Sequence, residues 1–206
     1  MDRVDAGRRL AERLLEYRER RDVVVLGLPR GGVPVGYEVA KAIDAPLDVL
    51  IVRKLGVPSQ PELAFGAIGE GGVRLLNESV LRHVQVSEAD IATVEANQWA
   101  ELRRRAERYR GGRAALPLAG RVALIVDDGF ATGSTARAAC MIARAQGAAR
   151  AVLAAPIGAR DTVAALARVA DDVVCLNVPA HFAAVGQGYA DFSQTSDEEV
   201  CALLEA

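Results

Sequence analysis

Val122-Ala-Leu-Ile-Val-Asp-Asp-Gly-Phe-Ala-Thr-Gly-Ser-Thr135 joins an apolar run to two acids and a glycine-spaced, hydroxyl-rich turn. Val122 to Val126 are apolar without interruption, the pattern of a strand covered on both faces in a parallel sheet. Gly129 and Gly133 let the backbone turn tightly, and Thr132, Ser134 and Thr135 stand where a helix over 134–146 is expected to begin. The first amides of a helix have no intrahelical acceptor, so that end attracts an anion. Asp127 and Asp128 have the opposite chemistry, accepting hydrogen bonds from sugar hydroxyls or approaching a hard cation such as magnesium. A ligand with phosphate at one end and hydroxyls or metal at the other fits this order of residues, although Asp-Asp-Gly also makes ordinary turns and Ser or Thr ordinary helix caps. A Walker loop needs a lysine after its last glycine, and Gly133-Ser134-Thr135 has none.

Upstream, Asp22 to Leu28 reads as a first buried strand, broken by Pro29-Arg30-Gly31-Gly32 before a helix-like run from Val33 to Ile43. No Gly-x-Gly-x-x-Gly fingerprint follows this strand. Two adjacent glycines let a backbone approach an anion closely, and Arg30 offers a fork of donors suited to phosphate oxygens. The same residues also suit a plain strand-to-helix turn with an exposed arginine. Leu47 to Val52 forms another apolar strand ending in Arg53-Lys54. Lys41 and Lys54 are the only lysines among 25 basic residues, and a cationic pair at a strand end in an open α/β sheet suggests anion recognition as well as simple solvation. The glycine- and proline-rich segment 55–72 is expected to be a flexible lid loop, with Glu62 placed to touch substrate on closure or merely to be solvated.

The remaining pattern predicts helices at about 3–20, 87–110, 160–169 and 195–205, and strands at 73–77, 121–126, 150–155 and 172–177. Strands alternating with helices imply one α/β domain over 1–206, a doubly wound, mostly parallel sheet flanked by helices. On the long helix Ile91, Trp99, Leu102, Ala106 and Tyr109 form one stripe, and Arg103, Arg104, Arg108 and Arg110 lie largely elsewhere. That stripe suits a core or a homodimer contact, whereas the arginines suit solvent or nucleic acid. After the last strand, residues 178–193 form a candidate hood in which Phe182 and Tyr189 hold two of the few aromatic rings, 4% of the chain. A ring beside glycine backbone can sandwich a nucleobase.

With 206 residues, 51% apolar, and a net charge of -2, the chain reads as one compact enzyme domain with no electrostatic footprint for nucleic acid. It shows neither a signal-peptide pattern nor a membrane-length apolar run, so a cytoplasmic protein is expected. Cys140, Cys175 and Cys201 lack Cys-x-x-Cys spacing and read as reduced thiols; His83 and His181 share no metal-ligand spacing.

The run from Val126 to Thr135 resembles the phosphoribosyl pyrophosphate motif of type I phosphoribosyltransferases. That resemblance implies that Asp127 and Asp128 hold the ribose hydroxyls, with magnesium close by and at most indirectly bound, and that Ala131, Thr132, Gly133, Ser134 and Thr135 wrap the 5'-phosphate. It implies that Arg30, Gly31 and Gly32, in a loop that often carries a cis peptide in the family, meet the pyrophosphate. Arg53-Lys54 and the following segment are similar to adenine-type members, in which such a pair also reaches pyrophosphate. Phe182, the Val185-Gly186 step and Asp191 resemble the purine hood of hypoxanthine-guanine-type members. One departure matters: those members carry an acid before Thr-Gly as the base for the purine nitrogen, and this chain has Ala131, which cannot move a proton. The implied activity is transfer of a phosphoribosyl group to a nitrogen acceptor, as in nucleotide salvage, with pyrophosphate leaving. A regulator of the same fold that only senses phosphoribosyl pyrophosphate, and a phosphate-sugar hydrolase, are the other readings of this pocket.

Overall fold

The computed structural model describes residues 1–84 and 86–206. In chain order the elements are α1 (Arg3–Glu12), β1 (Val23–Gly27), α2 (Gly32–Ile43), β2 (Leu47–Val49), β3 (Val52–Val57), β4 (Gln60–Gly69), β5 (Val73–Leu76), α3 (Glu78–Val84) and α4 (Glu88–Arg110). There follow β6 (Val122–Val126), α5 (Ser134–Ala145), β7 (Arg150–Ile157), α6 (Arg160–Leu166), β8 (Asp172–Asn177) and α7 (Asp197–Glu205). Five strands form a parallel sheet in the order β2-β1-β6-β7-β8, and β3-β4-β5 form a separate antiparallel sheet.

Alternation along the central strands sends side chains to two cores. Val24, Leu26, Ala123, Ile125 and Leu153 pack against Ala139, Ile142 and Ala143 of α5. Val23, Val25, Val122, Leu124 and Val152 meet Leu10, Val35, Val39 and Ile43 on the other face. Burying one such branched side chain contributes ~1.5–3 kcal/mol, so the doubly covered sheet is the rigid frame of the molecule. A third core lies between the small sheet, α4 and α7, and it takes up Ile91, Trp99, Leu102, Ala106 and Tyr109, the stripe expected from the sequence. The long helix starts where Ser87 accepts from the Asp90 amide and ends at Gly111 in the left-handed region. Among the described residues no helix is long and apolar enough to cross a membrane.

Three expectations are corrected. The segment 55–72, expected as a lid loop, is mostly strand: Leu55, Val57, Phe65 and Ala67 are buried at alternate positions in β3 and β4. Its prolines and glycines misled because Pro58 lies in the tight turn and Gly56 at a register shift, where a Cβ would strike the Pro61 carbonyl. The apolar run 47–52 is not one strand. Leu50 donates to Gly27, and the chain then leaves the parallel sheet to enter the antiparallel one. The helix expected over 3–20 stops at Glu12, because the chain must turn back to feed β1; Leu14 and Tyr17, fully buried, anchor that return.

Candidate active site

In the order β2-β1-β6-β7-β8 the connections run outward in opposite directions from the β1–β6 pair, so the crevice of this sheet opens beyond the carboxyl ends of those two strands. The Pro29 to Gly32 turn and the Asp127-Asp128 pair both lie there. Their approach is close enough that a Cβ on Gly31 would overlap the Asp128 carboxylate, and one on Gly32 would lie 2.9 Å from Asp127 Cα. Only hydrogen fits at either position. The Pro29–Arg30 peptide is cis, as the resemblance led one to expect, and Arg30 is half-buried.

After the acids the chain makes the turn the sequence promised. Phe130 is buried, its amide donates to Ile157, and its carbonyl accepts from Ala159. Gly133 takes φ 72° immediately before α5, a conformation that disfavours any side chain. Thr162 donates from its hydroxyl to the Ala131 carbonyl at 2.6 Å, and Thr132 Oγ1 lies 3.2 Å from Ser134 Oγ. The result is a cavity of about 110 Å³ lined by Asp127 and residues 129–136 at the start of α5, where the Ser134 amide donates to Thr132 Oγ1 at 3.4 Å.

A second cleft of about 490 Å³ adjoins this cradle through Thr135 and is bordered by Pro29, Arg53, Lys54, Gln98 and Arg105, with Glu62 at its rim. Arg53 donates to Gln98 of α4 at 2.8 Å. Burial, followed by the charge of Arg105, lowers the proton affinity of Arg53, which still remains cationic at neutral pH. Alternation along β3 leaves Arg53 half-buried and Lys54 exposed; Lys54 also borders a neighbouring cavity of about 580 Å³ with Ser134 and Arg137.

The acid pair is strongly perturbed. Burial, then the neighbouring charge of Asp128, pushes Asp127 well above the usual carboxylate range. Burial also raises Asp128, opposed by Arg3, whose Nε and Nη2 donate to Asp128 Oδ2 at 3.0 and 2.9 Å. The Asp128 amide donates to Asp127 Oδ1 at 2.9 Å, and the Asp128 carbonyl accepts from the Tyr189 hydroxyl at 2.6 Å. Tyr189 therefore serves as a strut, and its phenol is raised by burial and by Asp128. Hood residue Val185 covers Gly129 so tightly that a Cβ there would overlap its methyls. Phe182 is half-buried against the cluster of Ala6, Ile157 and Tyr189, while Phe192 carries the exposed ring.

The structure thus brings Gly31, Gly32, Arg53, Lys54, Asp127, Asp128 and residues 131–135 to one crevice, with Arg30 in the turn that precedes Gly31. Sequence reading missed Arg3, Gln98, Arg105 and Thr162, because each arrives from a distant helix and no local pattern marks it. Among the described residues no group of three or more His, Cys, Asp or Glu side chains could hold a metal ion, and at this crevice the carboxylates are Asp127 and Asp128. Magnesium is commonly held by one or two carboxylates plus phosphate oxygens, and this donor set fits an ion that arrives with a diphosphate.

Two proteins from two strains of Mycobacterium tuberculosis, each provisionally named a phosphoribosyl transferase, are 63% identical to this chain over 204 residues, 99% of it and 46% of each relative. The chain therefore spans about half the length of these relatives. The crystal structure of TT1426 from Thermus thermophilus is 44% identical and superimposes with a TM-score of 0.87 over 98% of this chain and 96% of that one. Residues 1–191 match the family described as the phosphoribosyl transferase domain, and the chain belongs to that family.

Proposed function

We propose that this chain transfers a 5-phosphoribosyl group from phosphoribosyl pyrophosphate to a nitrogen acceptor, a nucleobase being the favoured one, and releases pyrophosphate. The observation that carries the reading is the junction of three features at one crevice: an anion cradle of about 110 Å³, an acid pair whose Asp127 lines its wall, and a cationic cleft sharing Thr135 with it. The spacing suits a single ligand with a phosphate, a diol and a diphosphate.

In this reading residues 131–135 hold the 5'-phosphate on helix-start amides, and Asp127 and Asp128 accept from the ribose hydroxyls. Arg30, Arg53 and Lys54 neutralise the diphosphate as the bond from the anomeric carbon to its oxygen breaks and the bond to the acceptor nitrogen forms. Gly31 and Gly32 keep the backbone near enough to take part. Magnesium, when bound, would shield the diphosphate charge, with the aspartates as its nearest protein oxygens. Positive charge gathers on the sugar ring in such a displacement, so adjacent carboxylates stabilise the reacting state electrostatically. Ala131 supplies no base, and the acceptor nitrogen is expected to lose its proton to solvent or to another side chain.

The test is a panel of purine and pyrimidine bases with magnesium and phosphoribosyl pyrophosphate, read by pyrophosphate release and by mass spectrometry of nucleotide products. A base-dependent product, with Asp128→Asn slowing its formation by at least about tenfold, is expected. Binding without turnover for every acceptor tried would identify a sensor instead, and phosphate release without an acceptor a hydrolase.

A further inference from the structure

Two carboxylates in sequence, both drawn out of water, repel each other, and a site that needs them charged must supply a cation. Arg3 is that cation: among the described residues it forms the one ion pair made by either acid. Both of its contacts fall on a single oxygen, Asp128 Oδ2. Asp128 Oδ1 takes no part in the contact with Arg3, and the Asp127 and Asp128 carboxyl groups share a hydrogen bond of their own that raises Asp127 and lowers Asp128. The guanidinium is itself fixed. Its Nη1 donates to the Ser193 carbonyl at 2.6 Å, its Cζ lies 4.2 Å from the Phe192 ring centroid, and its side chain is only 12% exposed. It is carried by the first turn of α1, whose Ala6 packs against Tyr189, the residue that supports the Asp128 carbonyl.

We propose that Arg3 is the positioning residue of the acid pair, holding Asp128 Oδ2 so that Oδ1 meets the ribose hydroxyls and tying the sugar site to the 189–193 segment; this rests on the phosphoribosyl pyrophosphate reading. Lysine cannot replace it, because one ammonium lacks the fork that reaches the carboxylate and the Ser193 carbonyl together. The other ionisable groups facing Asp128 are Asp127 and the Tyr189 phenol, so removing Arg3 leaves the pair without a counter-charge.

The experiment is calorimetric titration of wild type, Arg3→Gln and Arg3→Lys with phosphoribosyl pyrophosphate and magnesium at neutral pH, with inorganic orthophosphate as a probe of the cradle alone. Both variants should bind phosphoribosyl pyrophosphate about tenfold or more weakly, while orthophosphate affinity stays at the wild-type value. Retained orthophosphate binding certifies the fold, and Arg3→Lys, which keeps the stem and the charge, carries the test if Arg3→Gln does not fold. Unchanged phosphoribosyl pyrophosphate affinity, or an equal loss for orthophosphate, would overturn the proposal. A wild-type chain that ignores phosphoribosyl pyrophosphate would sink the functional reading along with it.

Discussion

At the scale of single residues, the absence of side chains matters as much as their chemistry. Gly31 has φ -62°, which alanine adopts freely, so nothing in the backbone demands glycine there. Its requirement is steric: an added Cβ would overlap the Asp128 carboxylate and lie 3.1 Å from Arg3 Nε. Gly31→Ala is therefore expected to leave the sheet intact, lower the melting temperature only modestly, and weaken phosphoribosyl pyrophosphate binding by about tenfold or more, since the carboxylate must swing aside. Calorimetry beside a thermal melt separates the two effects; wild-type affinity would show that the two loops have room to part. Asp127, Asp128 and Arg30 could be picked out from sequence because their chemistry sits inside a local pattern. Arg3 could not, since its partner lies 125 positions away.

At the scale of elements, the antiparallel sheet is the part that composition misjudged. Glycine and proline counts favoured a loop, but the apolar alternation of β3 and β4 wins, because Leu55, Val57 and Phe65 are buried in the third core. Phe65→Ala should cost ~3–5 kcal/mol in urea denaturation, the range for truncating a buried aromatic. Arg53 and Lys54 ride on the neighbouring strand, so the same variant should bind inorganic pyrophosphate more weakly while its orthophosphate cradle is spared. A stability loss well under that range would mean that this sheet packs loosely and behaves as the loop composition suggested.

At the scale of the whole molecule, the two sheets are fastened by Arg110 at the end of α4. It is 6% exposed and donates to Asp48 of β2 at 2.8 Å, to the Val49 carbonyl at 2.9 Å, and to both oxygens of Glu70 beyond β4. Asp48 in turn accepts from the Leu116 amide at 2.9 Å, pinning the chain that leads to β6. Removing the arginine strands two desolvated carboxylates, so Arg110→Ala is expected to destabilise the chain by ~3–5 kcal/mol in urea denaturation. A loss well under that range would mean that Asp48 and Glu70 regain water once the arginine is gone.

The parallel sheet, the strand–acid–turn–helix unit at 122–135 and the glycine turn after the first strand were all determined by local sequence, because each depends on hydrophobic periodicity and on conformations that few residues allow. Family membership followed from the same stretch. Only tertiary structure decided that two turns separated by about half the chain meet across the β1–β6 crevice, that Arg3 charges the acid pair, that Gln98 and Arg105 wall the cationic cleft, and that Phe182 packs into the hood rather than standing open. Those contacts join groups far apart in the chain, and their energies depend on distance and desolvation, quantities that no linear pattern carries.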